Sequence, residues 1–263
     1  MYERAKMRTD NFPKELLAMI NGQALNKNNT GMSGSEVYES DRIVLKIHSS
    51  ADCYRDEIRM LKWLDGLLPV PKVLYNCVFA GKSYLLMTKM QGKMACDAAY
   101  LSSPEVLIPL LADALKRLWS VDISCCPVKR TADVELAEIA VRSETLKTTP
   151  FMLEEGFSSP AELLDYLSCH RCEDELVFSH GDLCLPNIFL TGEKLSGFID
   201  TGDAGIADKW RDIALCWRSL KHNTDGTYGR YEGVDPDRLF DELGIKKDSK
   251  KLRYYLLLDE LFH

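Results

Sequence analysis

Over roughly the first ninety residues, apolar and polar positions alternate in short runs. Residues 43–47, 69–75 and 82–88 are mainly apolar and bounded by Gly, Pro, Asn or Ser, which predicts strands. Residues 76–81 form the turn region between the last two. Residues 10–21 read as a short helix, with Asp10 or Asn11 as its cap and Pro13 in its first turn. In residues 54–66, Ile58, Leu61 and Leu64 share one stripe and Gly66 ends the helix. From Pro104 the spacing becomes helical, over 104–119, 134–146, 160–168, 207–221, 236–243 and 248–262, with a strand pair embedded in 176–200. The pattern predicts a β-rich lobe over 1–88, a hinge at 88–92 and a mainly helical lobe over 93–263: an α+β, bilobal chain.

Several polar residues interrupt these apolar runs. Lys46 sits inside the 43–47 strand, where an ammonium is costly to bury without a counter-charge or a phosphate. Glu57 falls on the same helix face as Leu61 and Leu64. It either needs a cation, for which Lys46 is the nearest candidate, or fringes the face in solvent. Residues 30–38 carry two glycines and two serines between strands, a hairpin able to offer N–H groups to phosphate; most such hairpins are only turns. The densest cluster is His180-Gly181-Asp182, then Asn187, then Asp200, each beside an apolar run. Two carboxylates and an amide oxygen suit a hard cation such as Mg²⁺ plus one base or orienting group. An Asp, four residues and an Asn, with a later Asp, also make up the kinase catalytic loop and its metal ligand. His180 reads as a structural residue bonded to backbone. Trp210 and Trp217 read as core anchors.

The composition fits this reading. The chain has 263 residues, 46% apolar and 28% charged, as in globular domains. A net charge of −7 argues against nucleic-acid binding. No apolar run approaches twenty residues, and the first six lack a signal-peptide core, so neither a membrane span nor secretion is expected. Nine scattered cysteines predict reduced thiols in a cytoplasm. Cys169 and Cys172 have metal-ligand spacing but no second pair.

In order, the Gly/Ser hairpin, strand Lys, helix Glu, hinge, His-Gly-Asp-x4-Asn and Ile199-Asp200 resemble the aminoglycoside phosphotransferases, ATP-dependent kinases with a protein-kinase-like fold. Val177 to Asp182, Ser196 to Asp200, Ala207 to Trp210 and Tyr254 to Phe262 carry the likeness to the 3′-phosphotransferase (kanamycin kinase) branch. The resemblance implies that Asp182 accepts or orients the proton of the acceptor hydroxyl. Lys46, paired with Glu57, would hold the α- and β-phosphates. Ser33 would lie in the flap over them, and the backbone of Thr88 and Met90 would meet the adenine edge. Asn187 and Asp200 would ligate Mg²⁺. The nucleotide would be ATP, with GTP as the alternative. The acceptor would be an aminoglycoside, and the protein a monomer or weak dimer.

A polycationic acceptor calls for carboxylates, and Glu154, Glu155, Asp259 and Glu260 are the candidates. The chain departs from its relatives at Val44, where some place an aromatic residue, and at Leu185-Pro186. It has Asp203 where the family often has Arg, and His222-Asn223 where related enzymes carry an acidic pair. A kinase of another small alcohol or sugar, or a nucleotide-binding relative without turnover, are the rival readings.

Overall fold

The computed structural model describes residues 12–20, 22–28, 34–142 and 145–262. The chain divides into two compact units. The first comprises the described residues up to Gln91 together with Gly197–Gly202; the second comprises Gly92–Ser196 and the rest of the chain. Residues 197–202 were expected in the second lobe. They group with the first because the Phe198 N–H donates to the Pro69 carbonyl (2.9 Å) and Asp200 pairs with Lys46. Gly197 is required there, since a Cβ would run into the Pro69 carbonyl and the Met90 thioether.

The first unit is a five-stranded antiparallel sheet. In chain order its elements are α1 (Lys14–Ile20), β1 (Asn26–Asn28), β2 (Glu36–Glu39), β3 (Ile43–His48), α2 (Arg55–Leu64), β4 (Val73–Phe79) and β5 (Lys82–Thr88). The spatial order is β1-β2-β3-β5-β4. Strand alternation sorts β3 cleanly. Ile43, Leu45 and Ile47 join Leu16 and Ile20 of α1 in one core. Val44 faces the other way, packed against Tyr54, Leu61, Leu85 and Met87. β4 runs on through Phe79, so the predicted turn at 76–81 shrinks to Ala80 and Gly81, both at positive φ.

The second unit is built on helices. It holds β6 (Lys93–Met94), α3 (Ala98–Leu101), α4 (Pro104–Trp119), α5 (Ala132–Arg142), α6 (Pro150–Glu154) and α7 (Pro160–Cys169). Then follow β7 (Leu176–Ser179), β8 (Ile188–Thr191), β9 (Lys194–Phe198, whose end enters the first unit), β10 (Gly205–Asp208), α8 (Lys209–Thr224), α9 (Arg238–Leu243) and α10 (Ser249–Asp259). β10 pairs antiparallel with β7, and β6-β8-β9 form a second small sheet. Ala207 and Asp208, expected in a helix, close β10 instead. The Asp208 carboxylate accepts the Trp210 N–H at 2.7 Å and so caps α8 from outside. Trp210 is a core residue, whereas Trp217 is only partly buried. No helix among the described residues is long and apolar enough to cross a membrane.

Candidate active site

In the first unit three charged residues converge. Lys46 of β3 lies on the sheet face that α2 covers, and its ammonium donates to Glu57 of α2 at 2.7 Å. Lys46 also pairs with Asp200. Both members of the Lys46–Glu57 pair are buried or nearly so, while the Asp200 side chain is 49% exposed. Burial alone would lower the Lys46 ammonium, but Glu57 and then Asp200 outweigh it and raise the group above its ordinary value. Lys46 is therefore a fixed cation with one permanent, buried partner and one solvent-facing partner. Asp200 has φ +58°, a left-handed conformation that Asp tolerates better than most side chains and that concentrates at functional sites.

The second unit presents the His-Gly-Asp loop, between β7 and a 3₁₀ turn at Leu185–Asn187. A buried carboxylate from α8 holds it. Asp212 accepts the Ser179 hydroxyl at 2.9 Å, the His180 N–H at 3.1 Å and the Gly181 N–H at 3.2 Å. Burial raises the Asp212 carboxyl, against the opposing pull of His180 and these donors. His180 is fully buried, and its Nδ1 accepts the Asp182 N–H at 3.3 Å. Gly181 has φ +84°, and a Cβ there would collide with the Asp203 carbonyl, so this position needs glycine. Asn187 donates its amide N–H to the Asp182 carbonyl (2.9 Å) and carboxylate (3.0 Å).

Each unit carries an oxygen donor of the kind a divalent cation takes: in the second the Asn187 side-chain amide, whose N–H₂ is spent on Asp182, and in the first the solvent-facing Asp200 carboxylate. Mg²⁺ characteristically takes one or two protein oxygens and completes its shell with water and phosphate.

Asp203 is exposed, at the edge of a buried charge pair. Arg211 pairs with Glu135, and both feel the Asp203 charge. Burial pushes the Glu135 carboxyl up to about 7, against the attraction of Arg211 and Arg130. A cation on α8 thus answers the acid that replaces the family's Arg.

Beside the loop, the second unit has a cavity of about 660 Å³. Its wall includes Cys184 and Ser219, which adjoin the loop: the Cys184 N–H donates to the Asp182 carbonyl and the Leu185 N–H to the Ser219 hydroxyl. Glu155, Asp259 and Glu260 also line it. Each is answered by an arginine. Arg253 donates to Glu155 at 2.6 Å, and Arg218 pairs with Asp259 and approaches Glu260 at 3.6 Å. His222 is on the same wall, held below its usual value first by burial and then by Arg218. Burial, reinforced by Asp182, keeps the Cys184 thiol raised and protonated.

The predicted residues thus fall into three groups. Lys46, Glu57 and Asp200 meet in the first unit, and Asp182 and Asn187 meet in the second. Glu155, Asp259 and Glu260 share the cavity, whereas Glu154 is exposed and does not line it. α6 turns adjacent residues about 100° apart, so both glutamates cannot face one way. Thr88 ends β5; its N–H is donated to the Lys72 carbonyl at 2.9 Å and is not free for a base edge. Met90 packs on Gly197. Ser33 lies outside the described residues. Asp212, Arg211 and Arg218 were not anticipated. Asp212 could have been: it is a carboxylate among Trp210, Ile213, Ala214 and Cys216, the same signal that singled out Glu57.

A family model described as "Phosphotransferase enzyme family" matches residues 28–241. The chain belongs to this phosphotransferase family. An aminoglycoside 3′-phosphotransferase from Enterococcus faecalis is 41% identical to it over 98% of this chain and 100% of that protein. Another of the same name, from Niallia circulans, is 38% identical over 97% and 98%. Among solved structures, an aminoglycoside phosphotransferase from Streptomyces rimosus in complex with ADP and streptomycin aligns with this phosphotransferase at TM-score 0.73. It shows 25% identity and covers 95% of this chain and 97% of that one. The phosphotransferase has the α+β, protein-kinase-like fold expected from its motifs.

Proposed function

We propose that this phosphotransferase moves the γ-phosphoryl group of ATP onto the 3′-hydroxyl of an aminoglycoside. The acceptor side rests on one observation: a cavity with three carboxylates begins two residues from Asp182. Its volume lies within the range of small-molecule sites. The relatives named aminoglycoside 3′-phosphotransferase, alike over nearly their whole length, support the same reading.

Each residue has a distinct task. Lys46, fixed by Glu57, binds oxygens of the α- and β-phosphates. Asp182 orients the acceptor hydroxyl; as that oxygen bonds to the γ-phosphorus and ADP departs, Asp182 takes the proton. The transition state of such transfers is loose, so position and charge matter more than a strong base. Asn187 and Asp200 would hold Mg²⁺, which when bound neutralises charge on the phosphate oxygens. The carboxylate of Glu260, from which Arg218 stands off at 3.6 Å, meets an ammonium group of the acceptor. Met90 lies at the end of the nucleotide side, where a backbone edge can meet the base.

The test is transfer of radiolabelled γ-phosphate to kanamycin, to a 3′-deoxy aminoglycoside and to a panel of neutral sugars and small alcohols. Kanamycin should be labelled at its 3′-oxygen and the 3′-deoxy compound left unlabelled. Asp182→Ala should abolish transfer while nucleotide affinity stays within a few-fold. Labelling of a neutral alcohol with none of kanamycin would assign a different acceptor. Nucleotide binding without transfer to anything would remove the enzymatic reading.

A further inference from the structure

The three cavity carboxylates are not equivalent. Asp259 is buried and committed to Arg218. Glu155 is committed to Arg253. Glu260 is held differently: Arg218 stands off at 3.6 Å, and the close partner is the Thr149 hydroxyl, which donates to Glu260 Oε2 at 2.6 Å. The same Thr149 oxygen accepts the Met152 N–H at 3.2 Å and so caps α6. One hydroxyl has one proton to give and lone pairs to accept, so both bonds form together. α6 and the residue after it carry Phe151 and Glu155, both on the cavity wall.

We infer that Thr149 is a positioning residue for the acceptor: its hydroxyl ties α6 to Glu260 and thereby holds that carboxylate apart from Arg218. This rests on the aminoglycoside reading above. Without the Thr149 proton, the nearest donor left for Glu260 is the Arg218 guanidinium. Closing that gap gives a charge-assisted ion pair and withdraws the carboxylate from a substrate ammonium. The place of the Glu260 carboxylate, and with it the choice among amine patterns, would then follow from this one hydroxyl.

The test uses the full chain and four variants. Thr149→Val is nearly isosteric and loses both bonds. Thr149→Ser keeps both. Thr149→Asp keeps a strong cap but puts a like charge at Glu260, which separates capping from orientation. Glu260→Gln removes the oriented charge itself. For Val and Asp, the KM for kanamycin should rise about tenfold, the scale of one hydrogen bond to a charged group. Their kcat and KM for ATP should stay within about twofold, and Ser should match the parent. Calorimetric Kd values for kanamycin should follow the KM values. Adding Thr149→Val to Glu260→Gln should cost nothing further.

An unchanged kanamycin KM in Thr149→Val and Thr149→Asp would overturn the inference. So would equal losses in kcat and both KM values, or an Asp variant that behaves like the parent. Absence of kanamycin transfer by the unmodified chain is a separate result, which removes the acceptor assignment and this inference with it.

Discussion

Asp212→Asn keeps the shape of the side chain that holds the His-Gly-Asp loop and removes its charge. The carboxylate receives three donors: the Ser179 hydroxyl and the N–H groups of His180 and Gly181. An amide can keep one oxygen as acceptor, but its N–H₂ would then point at a backbone N–H. All three donors reach Oδ1, so an amide oxygen there keeps each of them in weaker, uncharged form, and the bond lost outright is that of the His180 N–H to Oδ2 (3.2 Å). Hydrogen bonds to a charged acceptor contribute about 1.5–3 kcal/mol each. Relief of a fully buried charge offsets part of this loss, so the net destabilisation should be about 3 kcal/mol. That is within a typical folding stability of 5–15 kcal/mol, so the variant should still fold. The larger effect should be on catalysis. Asp182 follows Gly181 directly, and a displacement near 1 Å of a reacting group lowers rates by about 100-fold. Urea unfolding gives the first quantity; steady-state transfer to kanamycin gives the second. A kcat within twofold of the parent, in a variant destabilised as calculated, would refute the claim that Asp212 sets the position of Asp182.

Three further outcomes follow from the geometry. Lys46→Met should raise the KM for ATP and lower kcat/KM by about 100-fold or more, through loss of a phosphate partner and of the cation beside buried Glu57; nucleotide titration and kinetics measure both. Gly181→Ala should destabilise the fold by about 2 kcal/mol or more and abolish transfer, because φ is +84° and a Cβ meets the Asp203 carbonyl; thermal unfolding and activity check it. Glu135 gives a pH signature. Burial lifts its carboxyl to about 7, above the unfolded value near 4.5, so the folded chain keeps a proton that the unfolded chain has released between those limits. Stability should therefore fall as pH rises from about 4.5 to 7, by about 3 kcal/mol from this group, and Glu135→Gln should flatten that slope in denaturant titrations.

Much of this was legible in the sequence, for physical reasons. Glu57 stood out because a carboxylate on an apolar stripe demands a partner, and its partner is the strand Lys46 one element away. The helix 104–119 is found as read, because Pro104 starts it and its apolar spacing is unbroken. The β10–α8 boundary was missed because the cap, Asp208, also has helix-compatible neighbours; only pairing with β7 reveals the strand. The arginines of the cavity were invisible. Arg218 and Arg253 reach acids far away in the chain, and no local period encodes such contacts. Asp203 looked like an uncompensated charge reversal near Asp200, the expected metal ligand. The structure gives it Arg211 as a counter-charge, eight positions further on and a full element away.

The return of Gly197–Gly202 to the first unit bears on how the protein is made. A sheet assembled from residues 26–88 emerges early from the ribosome, but Lys46 then lacks Asp200, and the Pro69 carbonyl lacks the Phe198 N–H. The first unit cannot be finished until residue 202 has been synthesised, by which time most of the second unit exists. Domains commonly fold as they emerge, N-terminal first. Here the early sheet must wait as an incomplete intermediate with a near-buried, half-paired lysine. A fragment ending at Gln91 should stay incompletely folded rather than form an autonomous domain.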